Sequence, residues 1–411
     1  MTKVFTQFPR SILILITICF ILRIGYFFLF CDLKSENYWE FGEIAKNIVA
    51  GKGYSLFHFH NGFIEYHYMQ NANPLPSAYM PPLYVFYLIP FIIINDVLIR
   101  NIFLFTSQAI LSCLTIFFFY KAIEKNFNSR IAFISVFIYA LLPEFIYASN
   151  TVGTTTLYHT LVAFIFYYLT EYDFLSYFSY SKSIFLGFIF ASLIYLRPEV
   201  AVFFVFLAIY YLIKKKIKIV VIITLTTIIL LLPWFIRNFI IFYECIPFTT
   251  SNGLNFFRGN NPYRLGFWSD SKIEEAKYKT VPDVMFESKL NEFIFNRTIE
   301  LIKNEPDFLL PRALEKLLSF LFVYSYDERT SNLAYLLPWL SLLVLSIIGI
   351  LKTFSFKKHY FLYLFLLYHF IIAIIFFTLP RYQTMYKIAL LPFAGVVLEL
   401  IFNSIKSKLT K

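Results

Sequence analysis

The sequence has few of the residues that soluble enzymes and disulfide-rich domains are built from. Only 15% of its 411 residues are charged, glycine occurs 12 times and cysteine four times. Two of the cysteines, Cys19 and Cys113, lie inside apolar runs, so there is neither a disulfide framework nor a metal-ligand spacing, although a pairing of Cys31 with Cys245 stays open. The chain is instead 59% hydrophobic and 21% aromatic. A soluble domain of this size cannot bury so many apolar side chains, so the composition predicts a polytopic membrane protein.

Apolar runs divide the chain into ten predicted spans, since a helix needs about 20 residues to cross a membrane. The runs lie at 11–30, 99–120, 129–149, 153–170, 183–196, 199–213, 219–240, 334–351, 360–378 and 386–403. The predicted fold class is therefore all-α. We divide the chain into a membrane bundle at 1–240 with a first long loop at 31–98, a second loop region at 241–333, and C-terminal membrane helices at 334–411.

Most of the positive charge falls in short loops on one side of the predicted bundle. Counted from a cytoplasmic amino terminus, that side holds sixteen cations against only Glu124, Glu171 and Asp173. Because cationic short loops stay in the cytoplasm, we expect both termini inside and both long loops outside. The net charge of +11 then reflects topology and inner-leaflet lipid, and it is no indication of nucleic-acid binding. We interpret the chain as a multi-pass protein of a bacterial inner (plasma) membrane.

The apolar stretch from Leu83 to Ile94 can either cross the membrane or lie along its surface. If it crossed, residues 183–213 would have to form one helix about 46 Å long, interrupted by Pro198, against roughly 30 Å of hydrocarbon. We therefore predict an interfacial helix at Leu83–Ile94 and two short spans that turn on the outer side at Arg197-Pro198-Glu199.

The first long loop carries a group of carboxylates. Glu36, Glu40 and Glu43 are four and three residues apart, so a helix over Glu36–Val49 would gather them on one side. Gly51 and Gly53 are expected to end this helix. A carboxylate here can serve as a general base, while a solvated helix face beside a lysine is the alternative.

Three histidines of the same loop, His58, His60 and His67, allow two interpretations. Alternate residues of an extended segment point the same way, as metal ligands could. The neighbouring Phe and Tyr side chains favour an interfacial aromatic loop, and we assign no metal site.

Three arginines lie at predicted outer ends of spans. They are Arg197 in an RPE turn, Arg237 in PWFIRN and Arg381 in LPRY. Charge at membrane depth is costly, so such residues normally have a partner or a task. A guanidinium can grip a phosphate with two parallel hydrogen bonds, and anchoring in lipid headgroups is the alternative.

The second loop region begins with the polar passage CIPFTTSNGLNFFRGNNPY at Cys245–Tyr263. Its Ser, Asn, Gly and Pro residues predict an ordered loop. We take Arg258, Asn260 and Asn261 as candidates for acceptor or loop contacts. Residues 272–303 are expected to be helical, and Pro311–Ser325 is expected to form an amphipathic segment on the membrane surface.

Taken in order, several of these segments resemble a known group of proteins. They are YWEFGEIAKNIVAGKGYS, AYMPPLY, LRPE, PWFIRN, GLNFFRGNNPY and LPRY. Their series resembles the membrane glycosyltransferases related to protein O-mannosyltransferases and to the aminoarabinose transferase of lipid A, which share the GT-C fold.

This resemblance implies a polyprenyl-phosphate donor of a hexose or pentose, an active site at the outer face, and an acidic residue of the first loop as catalytic base. We place Glu40 first, with Glu43 and Glu36 behind it. Arg381, Arg237, Arg197 and Tyr382 are the candidate donor-binding residues. Because an arginine can stabilise the departing phosphate, no cofactor is required, although a divalent metal stays open. The acceptor is a lipid, a glycan or a protein.

Two other functions fit part of the sequence. A transporter or flippase of polyprenyl-linked substrates would also hold charges near its spans, but it should have repeat symmetry and broken helices at mid-membrane. A non-catalytic assembly subunit would keep the fold, and only an activity measurement distinguishes it from an enzyme.

Overall fold

The computed structural model describes residues 9–60, 63–279, 283–323, 330 and 332–409. Nearly all of the regular structure in these ranges is helical, with one two-stranded hairpin. The elements are α1 (Arg10–Phe30), α2 (Trp39–Val49), β1 (His58–His60), β2 (Phe63–Glu65), α3 (Pro82–Ile92), α4 (Val97–Asn126), α5 (Ser129–Leu141), α6 (Pro143–Ala148), α7 (Thr155–Glu171), α8 (Tyr180–Leu196), α9 (Val200–Ile213), α10 (Ile217–Phe242), α11 (Asn252–Gly259), α12 (Ser271–Lys279), α13 (Phe286–Asn304), α14 (Leu309–Leu321), α15 (Leu333–Thr353), α16 (Phe356–Ile375) and α17 (Pro380–Leu409).

Each predicted span coincides with helical structure. Among the described residues, six helices are long and apolar enough to cross a membrane by themselves: α1, α4, α10, α15, α16 and α17. The other predicted spans correspond to the broken pair α5–α6 and to the shorter helices α7, α8 and α9. The prediction of an all-α polytopic membrane protein is confirmed.

The ends of the membrane helices follow from local chemistry. Asp96 and Asn128 cap α4 and α5, since their side chains accept hydrogen bonds from the amides of Ile99 and Ile131. Pro143 separates α5 from α6, and Pro198 lies in the turn between α8 and α9.

Buried polar groups join the helices inside the bundle. The Arg23 guanidinium in α1 donates to the carbonyl oxygens of Tyr139 and Ala140 at the end of α5, where a helix leaves its last carbonyls without partners. At Gly349 of α15, a Cβ atom would lie 2.0 Å from the Phe393 carbonyl oxygen of α17. Only glycine permits this close approach of two backbones.

The first loop, residues 31–96, folds differently from expectation in two places. Its helix begins at Trp39 and not at Glu36, because the Asn37 side chain accepts a hydrogen bond from the Trp39 amide and holds the preceding residues in a turn. The β1–β2 hairpin, with His58 opposite Glu65, was not predicted. The helix expected at Leu83–Ile94 is α3 (Pro82–Ile92), whose 11 residues are too few to cross a membrane; its position along the membrane surface stays a prediction.

The second loop, residues 243–332, contains α11 to α14. The single helical stretch expected at 272–303 is two helices, α12 and α13. The amphipathic segment expected at Pro311–Ser325 corresponds to α14, and its residues 324 and 325 lie outside the described residues. The buried Glu287 of α13 accepts hydrogen bonds from the Ser77 hydroxyl and the Ala78 amide of the first loop, each at 2.7 Å. The two loops therefore lie on the same side of the bundle, which we call the loop side.

Candidate active site

The helix that carries the predicted base is fixed by the residue that precedes it. Tyr38 is fully buried and donates to Asn101 Oδ1 of α4 at 2.7 Å. Gly42 leaves room for it, since a Cβ there would lie 2.0 Å from the Tyr38 Cβ. Trp39 then starts α2 with a φ of 53°, in the left-handed region that a bulky side chain rarely adopts. Glu40 follows in the first helical turn, where the helix dipole favours negative charge.

The three carboxylates of the first loop differ in their partners. Glu43 is buried, pairs with Lys46 at 3.0 Å and accepts a hydrogen bond from the Tyr68 amide. Glu36 lies outside the helix, is exposed, and reaches Lys46 and Arg100 only at 3.9 Å. Glu40 is partly exposed and has neither an ion pair nor a hydrogen bond within the described part of the chain. The predicted gathering of all three on one helix face is therefore wrong for Glu36.

Two of the three arginines predicted to bind the phosphate, Arg197 and Arg381, lie beside Tyr382, which was also predicted to bind the sugar donor. The Arg197 guanidinium lies 5.2 Å from the centre of the Tyr382 ring and that of Arg381 lies 5.5 Å from it. Arg197 also pairs with Glu199 and donates to the Thr154 hydroxyl at 3.3 Å. Arg381 is exposed and, among the described residues, has no acidic partner. The first turn of α17 and the turn between α8 and α9 thus form one cationic corner.

Arg237 lies outside this corner, and its guanidinium already binds backbone oxygens of the first loop. It donates to the backbone oxygens of Ser77 and Tyr54, at 2.7 and 2.9 Å, and rests on the rings of Tyr54 and Trp234. These contacts fasten the first loop to α10. Its geometry is that of a residue that holds the loop.

Arg258 connects the second loop to the cationic corner. Its guanidinium lies between Trp268 and Phe377, at 3.6 and 3.9 Å from the ring centres. Phe377 in turn packs against Tyr382 at 5.8 Å. An aromatic layer thus runs from Arg258 to the two arginines at Tyr382.

Asn260 and Asn261 make contacts within the protein. The Asn260 side chain donates to the Ile375 carbonyl oxygen and accepts from Lys316 Nζ at 2.9 Å, and the Asn261 carboxamide caps the turn that follows it. Burial, together with the charge of Arg312, lowers the pKa of Lys316 to about 8. Both asparagines are buried, so they serve as loop contacts here.

Tyr79 of the first loop packs against Phe57, and the sequence analysis did not identify it. Burial raises the pKa of its hydroxyl, the carboxylates of Glu40 and Glu287 raise it further, and Arg258 lowers it. Those three charged groups therefore all act at this hydroxyl. The only local signal in the sequence is that Tyr79 directly precedes Met80-Pro81-Pro82, and composition alone assigns no function to that position.

A buried ion pair at the loop side was also missed. Lys387 Nζ of α17 lies 2.6 Å from Glu144 Oε2 of α6, and both side chains are enclosed. The lysine also lies over the rings of Tyr335 and Trp339. Each residue falls inside or beside an apolar run, where sequence gives no clue that the other is its partner.

The histidines of the first loop do not converge. His58 Nε2 lies 3.3 Å from the Met69 sulfur and 4.0 Å from Glu65, and burial lowers its pKa. Within the described ranges no group of three or more His, Cys, Asp or Glu residues is arranged to hold a metal ion. The four cysteines are free.

Solved structures with a similar fold identify the architecture. An oligosaccharyltransferase, AglB, from Archaeoglobus fulgidus, in complex with an inhibitory peptide and a dolichol-phosphate, matches 98% of this chain with a TM-score of 0.57 at 14% identity. Its complex with Zn and sulfate and its form tethered to an acceptor peptide each match 96% with a TM-score of 0.54 at 14% identity. The chain covers 51% of the first and 49% of the other two, so it spans about half their length. The shared fold is the GT-C fold of membrane glycosyltransferases.

The family follows from a sequence comparison. The model of the Alg9-like mannosyltransferase family matches residues 14–262, more than half of the chain, and the chain belongs to that family. A search of curated proteins finds no match. The resemblance to GT-C membrane glycosyltransferases is confirmed, and the chain is an integral multi-pass membrane protein of this family.

Proposed function

We propose that the protein transfers a hexose or pentose from a polyprenyl-phosphate donor to a hydroxyl group of a lipid, glycan or protein acceptor, with Glu40 as general base. Glu40 takes the proton of the acceptor hydroxyl, whose oxygen forms the new bond to the anomeric carbon. The bond between that carbon and the phosphate oxygen breaks, and polyprenyl phosphate leaves with the electron pair.

The observation that carries the proposal is the free carboxylate of Glu40. Glu43 already pairs with Lys46 and accepts a hydrogen bond from the Tyr68 amide, and Glu36 is exposed outside the helix. A general base needs an acceptor oxygen that no fixed cation or amide already occupies. Among the three candidates, Glu40 alone meets this condition within the described residues.

The phosphate end is assigned to Arg381 and Arg197 at Tyr382. Arg381 has a guanidinium open to a ligand, and Arg197 brings a second positive charge to the same ring. Positive charge placed where the leaving phosphate gains negative charge lowers the barrier without a metal. One solved structure of the neighbour AglB is a complex with a dolichol-phosphate, which supports a polyprenyl phosphate as the ligand proposed here.

The orientation belongs to the same proposal. The sixteen cations of the opposite side support a loop side that faces outward and termini in the cytoplasm, as in a bacterial inner membrane. Donor and acceptor would then meet at the outer surface.

The test is a transfer assay with purified protein and a panel of polyprenyl-phosphate sugars, following release of polyprenyl phosphate. Glu40→Gln keeps the side-chain size but removes the basicity, so transfer should fall roughly a hundred- to ten-thousandfold while donor binding survives. Glu36→Gln is the matched control and should retain activity. Wild-type turnover by Glu40→Gln would refute the assignment of the base, and no transfer by the wild type from any lipid-linked sugar would refute the donor class.

A further inference from the structure

Helix α14 of the second loop buries its charged side chains and exposes its leucines. Leu310, Leu314 and Leu318 form an exposed stripe along the helix, whereas Arg312 and Lys316 are buried. A stripe at this spacing is the apolar face of an amphipathic helix, and it suits contact with lipid. The two cations therefore point into the protein, toward the elements on which α14 packs.

Lys316 caps the end of α16. Its Nζ donates to the carbonyl oxygen of Ile374 and, at 2.9 Å, to Asn260 Oδ1. The Asn260 side chain in turn donates to the carbonyl oxygen of Ile375 at 2.7 Å. A helix leaves its last carbonyl oxygens without partners of its own, and a cation there also opposes the negative end of the helix dipole. The last two carbonyl groups of α16 are thus both bound by the second loop.

The turn that follows α16 leads directly to the cationic corner. It connects α16 with α17, which begins at Pro380 and carries Arg381 and Tyr382 in its first turn. Phe377 of the connecting turn packs against the Tyr382 ring, with centroids 5.8 Å apart. The next residue of α17, Gln383, donates to a carbonyl oxygen of α14 at 2.9 Å. The second loop therefore holds the chain both before and after the two residues assigned to the phosphate.

A buried lysine that binds only neutral oxygens is a costly way to join two elements. Among the described residues Lys316 has no acidic partner. With a pKa of about 8, lowered by burial and by the charge of Arg312, it is still mostly charged at neutral pH. Burying a charge without an opposite charge is unfavourable, so a residue of this kind is expected to have a task.

We propose that Lys316 is a positioning residue for the donor phosphate: by capping α16 it fixes the turn that presents Arg381 and Tyr382. This inference rests on the proposed function, because it takes those two residues as phosphate ligands. Lys316 itself is buried and does not touch the phosphate. Arg381 is exposed and has no acidic partner within the described ranges, so the place of its guanidinium depends on the backbone that carries it. A misplacement of about 1 Å can lower a rate by roughly a hundredfold.

The experiment is a double-mutant cycle that measures the binding of polyprenyl phosphate to purified Lys316→Met, Arg381→Ala and the double variant. Each single variant should bind roughly tenfold more weakly, the value of one hydrogen bond to a charged group. The double variant should bind at most about threefold more weakly than Arg381→Ala, because Lys316 acts through residue 381. Lys303→Met, an exposed lysine of the same loop, is the control and should bind as the wild type does.

The outcomes separate this inference from the proposed function. Unchanged affinity in Lys316→Met, or a full tenfold loss added to that of Arg381→Ala, overturns the positioning role while the transferase assignment stands. A wild type that binds polyprenyl phosphate but transfers no sugar overturns the proposed transfer, and the binding cycle still decides the role of Lys316. A wild type that binds none overturns the donor class and this inference with it.

A second variant tests the same cap if Lys316→Met does not fold. Asn260→Ala removes both the acceptor of Lys316 and the donor to Ile375. It should weaken the binding of polyprenyl phosphate and show the same lack of additivity with Arg381→Ala. Additive losses in this cycle overturn the inference.

Discussion

Glu287 joins the two loops through one buried carboxylate, and its removal should separate them. Its oxygens accept hydrogen bonds from the Ser77 hydroxyl, the Ala78 amide and the Thr250 hydroxyl. Glu287→Ala leaves the Ala78 amide buried without its partner, which costs about 1–3 kcal/mol, and each lost hydroxyl bond adds about 1 kcal/mol. We expect the free energy of local opening between the loops to fall by roughly 3 kcal/mol.

Pulse labelling of a buried thiol measures this opening. Ser288 is 3% exposed and lies next to Glu287, so Ser288→Cys provides a nearly isosteric probe that reacts only when the loops part. Since about 1.4 kcal/mol is a factor of ten, the labelling rate at position 288 should rise roughly a hundredfold in Glu287→Ala. Glu292→Ala, an exposed acid on the same helix, is the control and should leave the rate unchanged. A rate within twofold of the parent in Glu287→Ala would show that the carboxylate does not hold the loops together.

The same labelling assay also measures how the opening between the loops depends on pH. Burial raises the pKa of Glu287 above its usual value of 4.5, and its hydrogen bonds and Arg237 oppose that rise only in part. A carboxyl group with a raised folded pKa binds its proton more tightly in the folded state, so its contribution is present at low pH and is lost as the pH rises through the folded pKa. The parent should open more readily as the pH increases from about 4.5, whereas Glu287→Gln should lack this part of the pH dependence. Identical slopes in both proteins would contradict the raised pKa.

Three further predictions follow from the loop side of the bundle. Arg381→Ala should lower transfer roughly a hundredfold or more with little change in folding, and Arg381→Lys should restore activity only in part because an ammonium cannot form two parallel bonds; unchanged turnover in the alanine variant would leave Arg381 a headgroup anchor. Glu144→Gln or Lys387→Met should each lower the free energy of unfolding by about 3–5 kcal/mol, because the remaining charge stays buried. The double variant should lose much less than the sum of the two single losses. Additive losses in thermal unfolding would show that the pair is not coupled. In intact cells, a cysteine at position 271 should react with an impermeant reagent and one at position 215 should not, and the reverse pattern would invert the proposed orientation.

Much of the fold could be predicted from sequence because a membrane helix can be recognised from the apolar residues of its own segment. Each predicted span needed only a run of apolar residues, and each has a helical counterpart. The helix of the first loop was predicted with the wrong start, because the Asn37 side chain bonds the Trp39 amide and turns the chain there. Spacing alone assigned Glu36 to the helical face, and a single side-chain hydrogen bond decided otherwise.

The candidate site was predictable by residue type and less so by arrangement. Arg197, Arg381 and Tyr382 were selected because charge and aromatic groups at span ends are unusual, and they lie together. Arg237 was selected by the same reasoning, yet it holds the backbone of the first loop. The same guanidinium chemistry that grips a phosphate also grips carbonyl oxygens, so the sequence could not separate the two uses.

The sequence by itself determined that this protein spans a membrane and that its polar chemistry falls in two long loops, because both properties depend on composition along a continuous stretch. Only the tertiary structure decided which carboxylate is free, since Glu43 also accepts from the Tyr68 amide 25 residues along the chain and Glu287 binds groups of the first loop. Glu287 meets Ser77 across 210 residues and Lys387 meets Glu144 across 243. Which of several like-charged side chains is neutralised depends on distances of about 3 Å between such remote segments, and no local pattern in the chain records them.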